Sequence, residues 1–110
     1  MPVVTLAAPP HPHVGGLLVQ LADAVAVALA LDAGDVIAVH VPTGVSATSG
    51  AVVAAPASAW SLVSIHGSDR GREKMEATRA AAEASVRGWC DRNDVDCEGV
   101  WTQWLTPLPC

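Results

Sequence analysis

The chain has 110 residues, a net charge of −5, 51% hydrophobic residues and 15% charged ones. The acidic balance, with no basic patch interleaved with aromatics, argues against nucleic acid as a partner. Asp23, Asp32 and Asp35 interrupt the apolar run from Leu17 to Val41, and no basic residue precedes an apolar core at the N-terminus, so neither a membrane span nor an export signal is expected.

The expectation is therefore a cytoplasmic protein of one domain, residues 1–110. Its apolar content exceeds what a chain of this size usually hides alone, which points to an oligomer. Cys90, Cys97 and Cys110 are odd in number and lack metal-type spacing, so they are read as reduced, structural thiols.

Val3–Ala7 reads as a strand, and Ala8-Pro9-Pro10-His11-Pro12-His13 as a loop in which three prolines remove amide donors. Val14–Leu31 has Leu17, Leu18, Leu21, Val25, Ala28 and Leu29 at helical spacing. Only Gln20 and Asp23 interrupt that helix, so it is expected to be covered nearly all round, with Gly34 as its C-terminal cap. Val36–Val41 is a second strand closed by Pro42. Thr43–Gly50 is expected to be a mobile loop, with a short strand or ribbon at Ala51–Ala54.

Trp60–Ile65 is the next strand, and His66-Gly67-Ser68-Asp69-Arg70-Gly71-Arg72 is its connecting loop. From Glu73 to Cys90 a helix carries a polar stripe of Arg72, Glu76, Arg79, Glu83 and Arg87 opposite a face of Met75, Ala82, Val86 and Trp89. After a polar turn over Asp91–Asp96, Val100–Leu105 is the last strand. The fold class is thus α+β. Two βαβ repeats, residues 1–50 and 51–110, give a four-stranded sheet with two helices on one face. The other sheet face is left uncovered in one chain, a second argument for assembly.

Two features carry chemistry. Pro2 stands directly before the first strand, and removal of Met1 would turn its nitrogen into a secondary amine able to act as a general base. All Lys and Arg residues lie between Arg70 and Arg92. Arg70 and Arg72 sit where a strand hands over to a helix, at the positive end of the helix dipole, where helix amides and guanidinium groups together suit a carboxylate. The plainer reading is a solvated turn neutralised by Asp69, Glu73 and Glu76.

An N-terminal Pro-Val-Val strand, two βαβ repeats and a His-Gly-x-x-Arg-Gly-Arg turn after the third strand resemble the tautomerase superfamily. That superfamily includes 4-oxalocrotonate tautomerase, macrophage migration inhibitory factor, malonate semialdehyde decarboxylase and cis-3-chloroacrylic acid dehalogenase. The local match of Ile65-His66-Gly67 leading into Arg70 and Arg72 is to the dehalogenase. The resemblance implies a homotrimer without cofactor or metal, Pro2 as base or acid, and Arg70 and Arg72 holding the carboxylate of a small acid. Trp101 and Gln103 fall where family members place a tyrosine and a polar partner lining the pocket.

There are departures. Val25 stands where the dehalogenase has a substrate-binding histidine, Gln103 replaces its pocket tyrosine, and its water-activating glutamate has no counterpart through Cys110. Tautomerisation asks least of these residues, so a keto–enol tautomerase of a small 2-oxo or enol acid is the expected activity. The alternatives are a hydratase, dehalogenase or decarboxylase of a three-carbon unsaturated acid, and a non-catalytic oligomer that binds a small acid with Met1 retained. His11 and His13 lack a third metal ligand and are read as loop residues. His40 is read as a partly buried, hydrogen-bonded strand residue, His66 as a strand end, and Trp101 and Trp104 as core or interface fillers.

Overall fold

Alternation with a period of two along β1 (Val3–Ala8) buries Val4, Leu6 and Ala8 and leaves Val3, Thr5 and Ala7 half-buried. In the computed structural model, which describes residues 2–56, 60–97 and 99–106, this strand lies at the centre of a four-stranded sheet. On one side β1 pairs in parallel with β2 (Ile37–Pro42), Val3 opposite Ile37 and Leu6 opposite His40. A hairpin of β3 (Val45–Ser46) and β4 (Ala55–Pro56) follows β2. On its other side β1 pairs antiparallel with β5 (Trp60–His66), Val3 opposite His66 and Leu6 opposite Val63. β5 then pairs in parallel with β6 (Gly99–Leu105), which completes the order β2-β1-β5-β6.

Two helices cover one face. α1 (Val14–Leu29) joins β1 to β2 and buries Leu17, Leu21, Val25 and Leu29. α2 (Arg72–Arg92) joins β5 to β6 and buries Thr78, Ala82, Val86, Trp89 and Cys90. These side chains form one core with Val4, Leu6, Val63 and Ile65. Thr78 is a polar residue inside it, and its hydroxyl donates to the Lys74 carbonyl at 2.8 Å. Between the helices, the Arg92 guanidinium donates to Gln20 Oε1 at 2.7 Å. The two βαβ units expected from the sequence are present, with both helices packed on the same side of the sheet.

Several local expectations are corrected. α1 is not covered nearly all round: Val19 and Val27 are 61% and 82% exposed and, with Asp23, form an outward stripe at i,i+4 spacing. The helix ends at Leu29 because Ala30 takes the left-handed conformation (φ 56°) and the Leu31 amide returns to the Ala26 carbonyl at 2.8 Å, placing Leu31 against the core. Gly34, expected as the cap, instead holds a positive φ of 89° in the following turn, which the Asp35 carboxylate ties to the Asp32 amide. Pro42 is tolerated within β2 because β2 is an edge strand. Residues 43–50 are not all loop, since Val45 and Ser46 pair with Pro56 and Ala55, and the ribbon expected at Ala51–Ala54 lies there instead.

Among the described residues nothing covers the opposite sheet face. Ile37, Val39 and Val41 of β2, Leu62 of β5, and Trp101 and Leu105 of β6 are all exposed there, Trp101 at 67%. The core below is closely packed. Leu21→Ala should therefore lower the unfolding free energy by about 2–5 kcal/mol in a urea titration, and Val27→Ala on the outward stripe should shift it by no more than about 0.5 kcal/mol.

Candidate functional site

Pro2 is among the fully buried side chains. Its carbonyl accepts from the Ile37 amide at 3.2 Å, extending the β1–β2 ladder to the start of the chain. The antiparallel register sets Val3 opposite His66, so Pro2 lies beside the residue that follows β5. That residue is Gly67. A Cβ built on it would meet Cζ2 of Trp104 at 3.2 Å, a tight contact, and Cβ of Pro2 at 3.7 Å, an ordinary one, so the bare backbone of Gly67 packs closely against the indole and beside the proline ring. The Gly67 amide donates to the Leu105 carbonyl at 3.1 Å and locks the turn to the end of β6.

Arg70 follows within the same turn. Its Nε is buried and has no hydrogen-bond partner among the described residues. The Asp69 carboxylate is occupied locally, accepting from the Gly71 amide at 2.9 Å, and Gly71 opens α2 with φ 89° and no side-chain cap. Arg72 is the first residue of α2 and is exposed. Arg70, Arg72 and Lys74 line one shallow concavity together with Gly71, Glu73 and Ala77.

The acidic residues that could neutralise this turn are partly engaged elsewhere. Glu76 binds Arg79 at 2.6 Å, and Glu83 binds both Arg79 and Arg87 at 3.2 Å. The hydrogen bond from Arg79 holds the Glu76 carboxyl below its ordinary range, with smaller help from the charges of Arg79 and Arg72. Among the described residues neither Arg70 nor Arg72 makes an ion pair. Three cations at the amide end of a helix form a concentrated anion-attracting surface.

Trp101 and Gln103 do not join this group within one chain. Both lie on the open sheet face, Trp101 level with Leu62 and Gln103 level with Ser64, whose Oγ accepts from Gln103 Nε2 at 3.1 Å. Leu62 is in turn opposite Ala7, so Trp101 stands near the far end of β1 from Pro2. Over the four strand steps from Trp101 to Leu105 the separation is about 13 Å. Trp104 points the other way, toward the helices, and its indole Nε1 is buried without a partner among the described residues.

No protein-family model and no curated protein matches the sequence. Solved structures do match its fold. A macrophage migration inhibitory factor of Toxoplasma gondii superposes with TM-score 0.68 at 18% identity, covering 97% of this chain and 90% of that one. A 5-carboxymethyl-2-hydroxymuconate delta-isomerase gives TM-score 0.74 at 10% identity, covering 99% and 84%. A fused 4-OT described as an asymmetric trimer gives 0.69 at 16%, covering 94% and 86%. The chain has the tautomerase-superfamily fold.

Of the remaining titratable groups, His66 is the one that the β1–β5 register sets close to Pro2, opposite Val3. His40 Nε2 is 3.1 Å from the Ala8 carbonyl, the partly buried, hydrogen-bonded place expected of it, and His66 ends β5 on the open face. His11 Nδ1 accepts from the His13 amide at 3.0 Å, and among the described residues no cluster could hold a metal ion. Burial, with the neighbouring Cys97 thiol adding to it, pushes the Cys90 thiol up to about 11, so it is not a nucleophile near neutrality. Cys110 lies outside the described residues.

Gly67 and Trp104 are the neighbours of Pro2 that sequence reasoning missed. The available signal was period two along β6, which puts Trp104 on the same side as buried Val100 and opposite Trp101. Gly67→Ala should force the Trp104 ring to shift by a few tenths of an ångström, changing the near-ultraviolet circular dichroism and lowering stability by about 1–3 kcal/mol in a urea titration. An unchanged spectrum and midpoint would show that the turn relaxes without disturbing the indole.

Proposed function

We propose that this protein is a tautomerase acting on a small 2-oxo or enol carboxylic acid, with the Pro2 nitrogen as general base and Arg70 and Arg72 as the carboxylate holders. The observation that carries the reading is the approach of Gly67, which leads into the turn that bears Arg70 and Arg72, to a buried Pro2, with the Arg70 Nε in that turn buried and unpartnered among the described residues. Once Met1 is removed, Pro2 bears a secondary amine. An ordinary terminal amine titrates at about 7.7–8.0, and both desolvation and nearby guanidinium groups disfavour its protonated form. A fraction is then neutral at physiological pH and able to accept a proton.

In this mechanism the carboxylate docks against Arg70 and Arg72, which places the carbon next to the carbonyl within reach of the proline nitrogen. Pro2 removes the proton from that carbon, the guanidinium groups offset the negative charge that develops on the enolate, and the proton is returned from the prolinium. No water has to be activated and no bond to carbon other than C–H is broken. The enzymes that share this fold, among them the isomerase above, support the class of reaction.

The assembly belongs to the same proposal. A homotrimer would cover the exposed Ile37, Val39, Val41 and Leu105 and bring Trp101 and Gln103 to a neighbouring subunit's pocket, where the single chain does not place them. The described residues include no helix long and apolar enough to cross a membrane.

Intact mass of the purified protein should show loss of the initiator methionine. In a phenylenolpyruvate ketonisation assay, Pro2→Ala should lower kcat/KM by about 10²- to 10⁴-fold. Arg70→Ala should weaken substrate binding by about tenfold to a hundredfold, the loss expected of a charged hydrogen bond. Alanine variants that ketonise as well as wild type would refute both roles, and 3-haloacrylate turnover exceeding ketonisation would move the reading to a hydratase or dehalogenase. Retained Met1 with acid binding but no turnover would mark a binding protein. Val39→Asp on the open face should convert the trimer to monomer in sedimentation analysis.

A further inference from the structure

A second cavity lies at the opposite end of β1 from Pro2. It opens between the Pro9-Pro10-His11 loop, the start of α1 and the last turns of α2, and has a volume of about 150 Å³. Six strand steps separate Pro2 from Ala8, so the two places are about 20 Å apart. Their chemistry is opposite. Where Arg70, Arg72 and Lys74 gather at one, no Lys, Arg, Asp or Glu among the described residues lines the other.

The walls are apolar. Leu17 and Trp89 are 2% and 6% exposed, Ala8 closes the strand side, and Val14 stands at the rim. A cavity of this volume has room for a benzene-sized guest. Besides the Trp89 indole, the side-chain nitrogen and oxygen groups of the described residues that line it are those of the His11 ring and the buried Ser61. Because His11 Nδ1 accepts from the His13 amide, the neutral ring carries its proton on Nε2 and is a donor there. The ring meets Trp89 edge-on, with centroids 4.8 Å apart, which fixes its plane. Cys90 completes the wall as a neutral thiol, since burial raises its pKa to about 11.

The topology gives this place a meaning. β1 and β5 run antiparallel at the sheet centre, and each leads through a loop into a helix on the same face. The β1–α1 crossover is therefore the counterpart of the β5–α2 crossover, at the other end of the sheet. One carries the cations and the other carries the apolar cavity.

We propose that the cavity at the β1–α1 crossover is a binding site for a small neutral aromatic molecule bearing one hydrogen-bonding group, of which phenol is the simplest example. A ring of that size matches the volume, the missing charges leave an anion uncompensated, and the hydroxyl pairs with His11 or Ser61.

The test is titration of the full-length protein with phenol, followed by amide and indole NMR signals. Saturable shifts are expected at Ala8, Val14 and the Trp89 indole, with a Kd of about 1 mM for a ligand of so few atoms. Ala8→Leu, which fills the cavity from the strand, should weaken phenol at least about tenfold, the loss of a buried side chain's worth of contact. Should that variant fail to fold, Val14→Phe fills it from the rim and must do the same. Benzoate should leave the Trp89 signal unmoved. The proposal is overturned if phenol produces no saturable shift at Trp89, if a folded filled variant binds it as wild type does, or if benzoate displaces it.

Discussion

The antiparallel register between β1 and β5 is the constraint on which the structure's chemistry depends. Pairing Val3 with His66 sets the chain's start against the residue that follows β5, and the next few residues are the turn that contains Arg70 and Arg72. A slip of one residue would turn one strand's buried pair, Val4 and Leu6 or Val63 and Ile65, from the helices toward the open face. All four have zero exposure, so that slip is strongly opposed by the loss of the core. The packing of hydrophobic side chains thus sets Pro2 beside Gly67, near the start of the turn that leads to Arg70 and Arg72.

Charge is distributed to the same effect. The Arg79 and Arg87 guanidinium groups are engaged by Glu76 and Glu83 along the outer side of α2, in exposed pairs that stabilise the helix only weakly. At the first turn of that helix the balance changes, and Arg70, Arg72 and Lys74 share a concavity in which Glu73 is the one acidic lining residue among those described. An unfavourable placement of cations by the helix dipole is kept where an incoming anion would relieve it.

Much of this architecture is legible in the sequence because each element announces itself by period and punctuation. The β-branched runs at Val3 and Val36, the prolines after β1, and the Glu-Arg spacing of α2 all point to their observed states. The failures have physical causes. Small residues on α1 conceal which side faces out, since alanine suits either environment, and Val19 and Val27 are apolar on the exposed stripe. The left-handed Ala30 ends α1 before Gly34 because Leu31 gains a contact with the core. The hairpin of β3 and β4 has two residues a side, too short for any alternation to register. Pro2, Arg70 and Arg72 were recognisable as residue types at sites of transition. The closeness of Gly67 and Trp104 to the proline depends on a tertiary approach that no local pattern encodes.

Joining two βαβ units into one polypeptide gives the fold an internal asymmetry. The second unit begins mid-chain at Trp60, whose nitrogen belongs to an ordinary peptide bond and can never be freed by removal of an initiator residue. However many copies associate, each polypeptide has just one N-terminus, so no more than half of the geometrically equivalent crossovers can stand beside a free terminal amine.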